Sequence, residues 1–446
     1  MHIAIFEPNP DGHHYAHIRR LLPALAALGQ RVTFVTSSEG VASSEYEAQI
    51  KSLEHLCAVD SSIQRDGGRP GIGHVTGWAS DLHRIAIDLA ADHVLIPYAD
   101  GTIQMVGLRR IAGGFSLPPG CELEGLMMRG SFAYNRPTLS EAARARAWLA
   151  LTAAAPFRVV HHMDPIVVRA LERRAPGLWR RTHLIPDPVE RFDPPARAEA
   201  RQRLGIPEDG RYIGCVGYMD RRKGIDRLIR AFLATRLGRT DRLLLAGSQE
   251  SSIRELLADE AADAVREGRI ISFERYLSDE EFRLSVAAMD VVGTPYPPDS
   301  GHSGSSSIVI HAAGQERPVL GSASGWIGDT IQRFALGQVC DVTDLVAFAG
   351  AISGSLDASS DYRITEGGRR FAEFHRPENF AACFTRRLRE RLGLPGPTSL
   401  RTWDWVLEAA AESAPPTRAR RSAAVRPTRT LQSHRPLWAP GPALSR

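Results

Sequence analysis

The sequence has 446 residues, with 55 Lys and Arg against 51 Asp and Glu, a formal charge of +4, and 43% hydrophobic and 24% charged residues. That length and balance suit a globular chain of two or three domains and exclude nucleic-acid binding by bulk charge. Cys57, Cys121, Cys215, Cys340 and Cys383 stand singly, without the spacing of a zinc site, and no apolar run reaches membrane-spanning length. An N-terminal apolar run broken by Glu7 gives no signal peptide, so a cytoplasmic protein is expected.

In chain order, residues 2–8 predict a buried strand, 9–17 a glycine-containing turn, 18–30 a helix stopped near Gly29, and 31–36 a second strand. Apolar runs recur at 93–98, 157–162 and 182–188, with a helical pattern over 139–155. Strands alternating with helices predict a parallel sheet covered on both faces. The same grammar restarts after the linker, with strands at 212–219, 242–248, 269–276, 290–296 and 317–322 and helices between them. The expected fold class is α/β, two doubly wound Rossmann-like domains over residues 1–190 and 191–394. A Pro- and Arg-rich tail over 395–446 has the composition of a disordered segment, interrupted by an amphipathic helix candidate beginning at Thr402.

Doubly wound domains bind ligands in the crevice beyond the carboxyl ends of their strands, so the loops there carry the candidates. The first is "GYMDRRKG", where Gly217 permits close backbone approach and Arg221, Arg222 and Lys223 precede a helix N-terminus. Both features suit a diphosphate. Lys223 is one of only two lysines in the chain, the other being Lys51; a compact ammonium serves where a planar guanidinium does not fit. The bland reading is a solvated basic loop. The second loop, "PYPPDSGHSGSSSIVIHAAG", puts Gly304, Ser305, Ser306 and Ser307 ahead of an apolar helix, presenting N–H groups and hydroxyls to an anion. The third, "ISFERYLSDEE", places Tyr276 past a strand, where it would pack on a nucleobase or simply stand at a rim.

Taken together, "GYMDRRKGIDRLIRAF", "LLLAGSQ", "ISFERYLSDEE", "AAMDVVGTPY" and "IVIHAAGQERPVLGSASGWIGDTI" resemble, in order, the donor-binding half of retaining GT-B glycosyltransferases of group 1, family 4-like. The resemblance implies transfer of a sugar from a nucleotide-diphosphate donor, held by the second domain, to an acceptor hydroxyl held by the first. It implies retention of configuration and no metal or other cofactor, because cations replace the metal. Arg222 and Lys223 would neutralise the diphosphate, with Gly217, Tyr218, Arg221, Tyr276 and the backbone from Gly304 through Ser307 completing the donor site. The acceptor would be a glycan, a lipid-linked molecule or a small molecule. The basic tail would give peripheral contact with anionic lipid.

Two departures from the family pattern stand out. Tyr218 occupies a place where the family commonly has arginine, with Arg221 as the compensating cation. Ser303 and His311 stand where the family has two carboxylates with seven residues between them, one on the sugar and one on the ribose. These replacements keep open a non-catalytic GT-B-like partner or activator, and a sugar-nucleotide epimerase is a third reading. In the first domain, Gly12, His13 and His14 would face the inter-domain side, His13 as a proton-handling or acceptor-orienting group or as a polar cap. Tyr98 and Asp100 follow a strand, with Asp100 expected on an acceptor hydroxyl. His161, His162 and Asp164 invite a metal, but adjacent residues on a strand point to opposite faces, which favours structural roles.

Overall fold

A computed structural model describes residues 1–10, 14–63, 72–134, 138–298, 300 and 304–413. The apolar runs form strands buried on both faces, as parallel strands sandwiched by helices must be. The first sheet contains β1 (His2–Phe6), β2 (Arg31–Ser37), β3 (Ala58–Ile63), β4 (His93–Ile96), β5 (Glu122–Met127), β6 (Phe157–His162) and β7 (Thr182–Leu184). All are parallel, in the order β3-β2-β1-β4-β5-β6-β7. The second contains β8 (Tyr212–Val216), β9 (Arg242–Ala246), β10 (Ile270–Phe273), β11 (Val291–Thr294), β12 (Val319–Ser322) and β13 (Gly337–Cys340). It too is parallel, in the order β10-β9-β8-β11-β12-β13. Strand order reverses between β1 and β4 and again between β8 and β11, which opens one crevice in each half.

Three strands, β3, β5 and β13, lie outside the apolar runs that mark the others. β3 and β13 are sheet edges with mostly exposed or half-exposed residues, so burial leaves no pattern in them. β5 is interior but carries Glu124, 1% exposed, whose carboxylate meets His161 Nε2 and lies 3.2 Å from His93 Nε2. A buried charge persists only when paired, and here two neighbouring strands supply the partners. Burial works against that carboxylate, yet the two imidazoles outweigh it and hold its pKa down to about 2.

The turn expected as far as His17 is shorter in the structure: a helix runs His14–Ala26, with His14, Tyr15, His17 and Ile18 already buried in its first turns. Gly29 takes the left-handed conformation (φ 66°) at its end, a backbone state that glycine enters without steric cost.

Two of the chain's crossings between the halves lie close together. The chain leaves the first sheet through residues 185–196, and the helix Pro377–Arg391 later comes back to it, packing Phe380, Phe384 and Leu388 among Leu21, Leu25 and Leu95. The two crossings touch, because the Asp187 N–H donates to His375 Nδ1 at 3.0 Å and the Val189 N–H to the His375 carbonyl at 2.7 Å. The expected division at 394 is thereby corrected: residues 377–391 complete the first half, although their sequence position follows the second. The expected tail boundary moves as well, since the helix Trp403–Ser413 buries Val406 in the second core. Residues 414–446 lie outside the described residues. Among those described, no helix is long and apolar enough to cross a membrane.

Candidate functional site

The lysine loop leaves β8 at the second reversal point and is held on three sides. Its Gly217 N–H donates to the Ala246 carbonyl at 2.9 Å, and Met219 exchanges backbone bonds with Ser248 and Glu250 at 2.9 Å each. The Asp220 carboxylate then accepts the Lys223 N–H at 2.8 Å, fixing Arg221–Lys223 as a 3-10 turn. Gly224 follows at φ 73°, and a Cβ there would lie 2.0 Å from the Pro295 carbonyl oxygen in the loop after β11. The two loops that the sequence singled out therefore touch through a bare backbone, and only glycine meets both demands.

The turn presents its cations outward. Arg221 and Arg222 are exposed and Lys223 is half-buried. Arg222 has a loose pairing with Asp220 at 3.4 Å, whereas Lys223 has no ion-pair partner among the described residues. Burial pushes the Lys223 ammonium below its ordinary pKa, and Asp220 pulls the other way. Tyr218, where arginine was expected, is 53% exposed and holds its ring 6.0 Å from Lys223 Nζ, within cation–π reach.

Across the crevice stands the helix Ser307–Gly314, whose N-cap Ser306 makes no side-chain capping bond. The first N–H groups of a helix have no partner within it. Ser305 differs from the expectation: its hydroxyl donates to the Asp187 carboxylate at 2.8 Å, so its side chain ties loop to linker and leaves its backbone for an anion. His311 lies one turn further along that helix, 4.9 Å centroid to centroid from Phe282. A Cβ on Gly217 would lie 3.8 Å from the same ring, so Phe282, absent from the sequence expectations, joins His311 to the lysine loop. Burial, helped by Arg283, Arg20 and Arg376, holds the His311 imidazole down to about 4 and therefore neutral at pH 7. Tyr276 is 89% exposed after β10, two strands from the reversal point, and is not drawn into this cluster. Ser303, Gly12 and His13 lie outside the described residues.

In the first half, the residues after β1 and β4 converge by the same rule. His14 Nδ1 is 3.1 Å from the buried Glu7 carboxylate and its ring 4.2 Å from Tyr98. Asp100 accepts the Met128 N–H at 2.7 Å and the Arg129 N–H at 3.2 Å. Burial raises the Asp100 carboxyl pKa, opposed by those two N–H groups. Gly304 of the second half backs onto this spot, since a Cβ on it would come 3.9 Å from the Met128 carbonyl. One cleft thus collects candidates from both halves.

Tyr134 closes the seam and had no sequence signature. It packs against both domain cores, donates its hydroxyl to Asp164, and accepts from the Gly304 backbone. Asp164 also caps the helix Pro165–Arg174 by accepting the Ile166 N–H at 2.8 Å; burial raises its carboxyl to about 6 against the Tyr134 bond. The metal invitation at His161, His162 and Asp164 resolves into separate contacts: His161 meets Glu124, and His162 Nδ1 accepts the Asp164 N–H at 3.1 Å. Among the described residues, no group of three or more His, Cys, Asp or Glu side chains is arranged to hold a metal ion.

No protein-family model matches the chain. Over 88% of its length it superposes on 99% of sucrose-phosphate synthase from Thermosynechococcus elongatus, with a TM-score of 0.64 at 19% identity. Over 87% it superposes on all of Anabaena Alr3699/HepE, solved in complex with UDP, with a TM-score of 0.62 at 14% identity. The fold is GT-B. Two sequence relatives are both D-inositol 3-phosphate glycosyltransferases. That of Acidothermus cellulolyticus is 30% identical over 47% of this chain and 51% of its own. That of Corynebacterium urealyticum is 29% identical over 40% and 42%. The chain thus spans about half the length of the curated relatives it matches.

Proposed function

We propose that this GT-B chain is a glycosyltransferase that moves a sugar from a nucleotide-diphosphate donor to an acceptor hydroxyl, with retention and without a metal. One observation carries the reading: a half-buried ammonium, Lys223, in a turn fixed by Asp220 and pressed through Gly224 onto the loop leading to an uncapped helix N-terminus. Bond cleavage leaves negative charge on the departing nucleotide diphosphate. Preorganised cations and N–H groups stabilise such charge most where it develops, and in this reading Arg222, Lys223 and the N–H groups around Ser306 do that work. A leaving group held on that face lets the acceptor hydroxyl enter from the same face, which gives retention.

His311 supports a second reading. A neutral imidazole replaces a carboxylate, so it donates one hydrogen bond to a ribose but supplies no negative charge. A GT-B protein that binds a nucleotide and partners an active enzyme would keep Lys223 and tolerate this change.

The test is thermal unfolding with UDP-, GDP-, TDP- and ADP-sugars, since a ligand at 100 times its Kd adds about 2.7 kcal/mol. The transferase reading expects one base to raise Tm and radiolabelled sugar to reach an acceptor in cell extract. Nucleotide binding with no transfer or hydrolysis favours the partner reading; conversion of the donor without acceptor would indicate an epimerase. No shift with any nucleotide sugar overturns the donor site.

A further inference from the structure

The helix Leu139–Ala154 is set down firmly at its start and loosely along its length. Thr138 and Glu141 form a capping box, yet the helix buries only Leu149 and Thr152, and Leu139 is 92% exposed. Between this helix and the segment after β5 lies a cavity of about 870 Å³, within the range that encloses one small ligand. Phe132, Trp148 and Leu149 line it, the two aromatic rings 5.6 Å apart. Arg129, Arg144 and Arg146 also line it. Glu141, the one acidic side chain in the lining, has its carboxylate bonded to the Thr138 hydroxyl and N–H at 2.8 Å each.

An apolar floor with a cationic rim selects a molecule of two parts. A plain polar sugar leaves the rings against water, and a neutral apolar molecule leaves the excess positive charge of the rim unmatched. An anionic headgroup on an apolar chain satisfies both, because guanidinium pairs with phosphate while the chain covers the rings. The location adds a functional link. Arg129 lines this cavity, while its own N–H donates to Asp100 at 3.2 Å in the cleft. A headgroup at Arg129 would therefore lie near Asp100.

We infer that this cavity binds the acceptor as a single anionic amphiphile: an apolar chain, a phosphate or carboxylate held by the arginines, and a free hydroxyl that receives the sugar. This rests on the transferase reading for the word acceptor, while the binding site itself stands on the cavity. The experiment titrates the full chain by calorimetry with decyl phosphate below its micelle concentration, with decyl glucoside and with inorganic phosphate. Decyl phosphate is expected to bind at least about tenfold more tightly than either probe. The double variant R144E/R146E and the single variant Trp148→Ala should each weaken it about tenfold or more. Both variants should keep the parent's thermal unfolding and its response to a nucleotide sugar.

Equal affinity for decyl glucoside, or unchanged affinity in both variants, overturns the site. If Trp148→Ala fails to fold, R144E/R146E decides alone, since both arginines are exposed. Decyl phosphate binding in a chain that answers to no nucleotide sugar sinks the transferase reading and leaves the cavity; the reverse result sinks the cavity and leaves the transferase. Sedimentation with phosphatidylglycerol vesicles, lost in R144E/R146E, assigns the amphiphile to a membrane, and its absence with decyl phosphate binding kept assigns a dispersed one.

Discussion

The two strand-order reversals face one cleft, yet they use their polar groups in opposite ways. At the first, His14 meets Glu7, Tyr98 lies on His14, and Asp100 holds the Met128 and Arg129 N–H groups. These side chains are largely bonded to the protein itself. At the second, backbone contacts and Asp220 set the loop's shape, which leaves Arg221, Arg222 and Lys223 turned outward. The first half thus presents a fixed surface, while the second presents unbalanced charge on a fixed frame. Unbalanced charge on a fixed frame suits a polyanion, as the proposed diphosphate donor requires.

The contrast breaks most sharply at Lys223. Lys223→Ala should cut turnover by about 10²- to 10³-fold, the scale of losing one preorganised charge-stabilising group, with unfolding unchanged; Asp100→Asn should not approach that loss. Turnover within threefold of the parent would remove Lys223 from the chemistry. Gly224→Ala asks whether the frame matters apart from the charge. Its Cβ would strike the Pro295 carbonyl and its φ is left-handed, so both loops must shift at a cost of about 1–2 kcal/mol or more. Turnover should drop about tenfold with all three cations still present, read as kcat and KM beside a urea midpoint.

Tyr134→Phe tests the seam where the halves meet. It strips a hydrogen bond from the buried Asp164 and the partner from the Gly304 N–H, costing about 1–3 kcal/mol. A rise in donor KM larger than the fall in kcat is expected if Tyr134 positions the Gly304 loop; a loss of stability alone would confine it to packing.

The smallest effect is on pH dependence. Burial pushes His162 down to about 4 and His375 to about 3. The unfolded chain takes up these protons near pH 6.5 and the folded chain only near 4 and 3, so stability is complete above 6.5 and lost as pH falls from there. Asp164, raised to about 6, works the other way, because the folded chain takes its proton first. The urea midpoint should therefore fall from pH 7 to pH 5. His162→Gln, in the first half, and His375→Gln, at the junction, should each remove on the order of 1 kcal/mol of that pH-dependent loss.

Much of the architecture was legible because buried parallel strands write themselves as apolar runs, and Lys223 was legible because lysine is otherwise almost absent. What stayed hidden follows physical lines. Glu124 disguised β5, since a carboxylate in a sheet interior is tolerable only with partners from strands distant in sequence. Tyr134, Phe282 and Asp187 act through contacts that no local spacing encodes. Ser305 looked like an anion ligand through its hydroxyl, but that hydroxyl is held by a linker residue more than a hundred positions away. The last helix of the first half was invisible as such because it follows nearly all of the second.

That late return has a mechanical outcome. A single connecting segment would leave the halves free to swivel about any axis. Here two segments lie side by side, laced together between Asp187 and Val189 on one and His375 on the other, and a laced pair twists poorly while still bending. Relative movement of the halves about this junction should therefore favour bending over twisting.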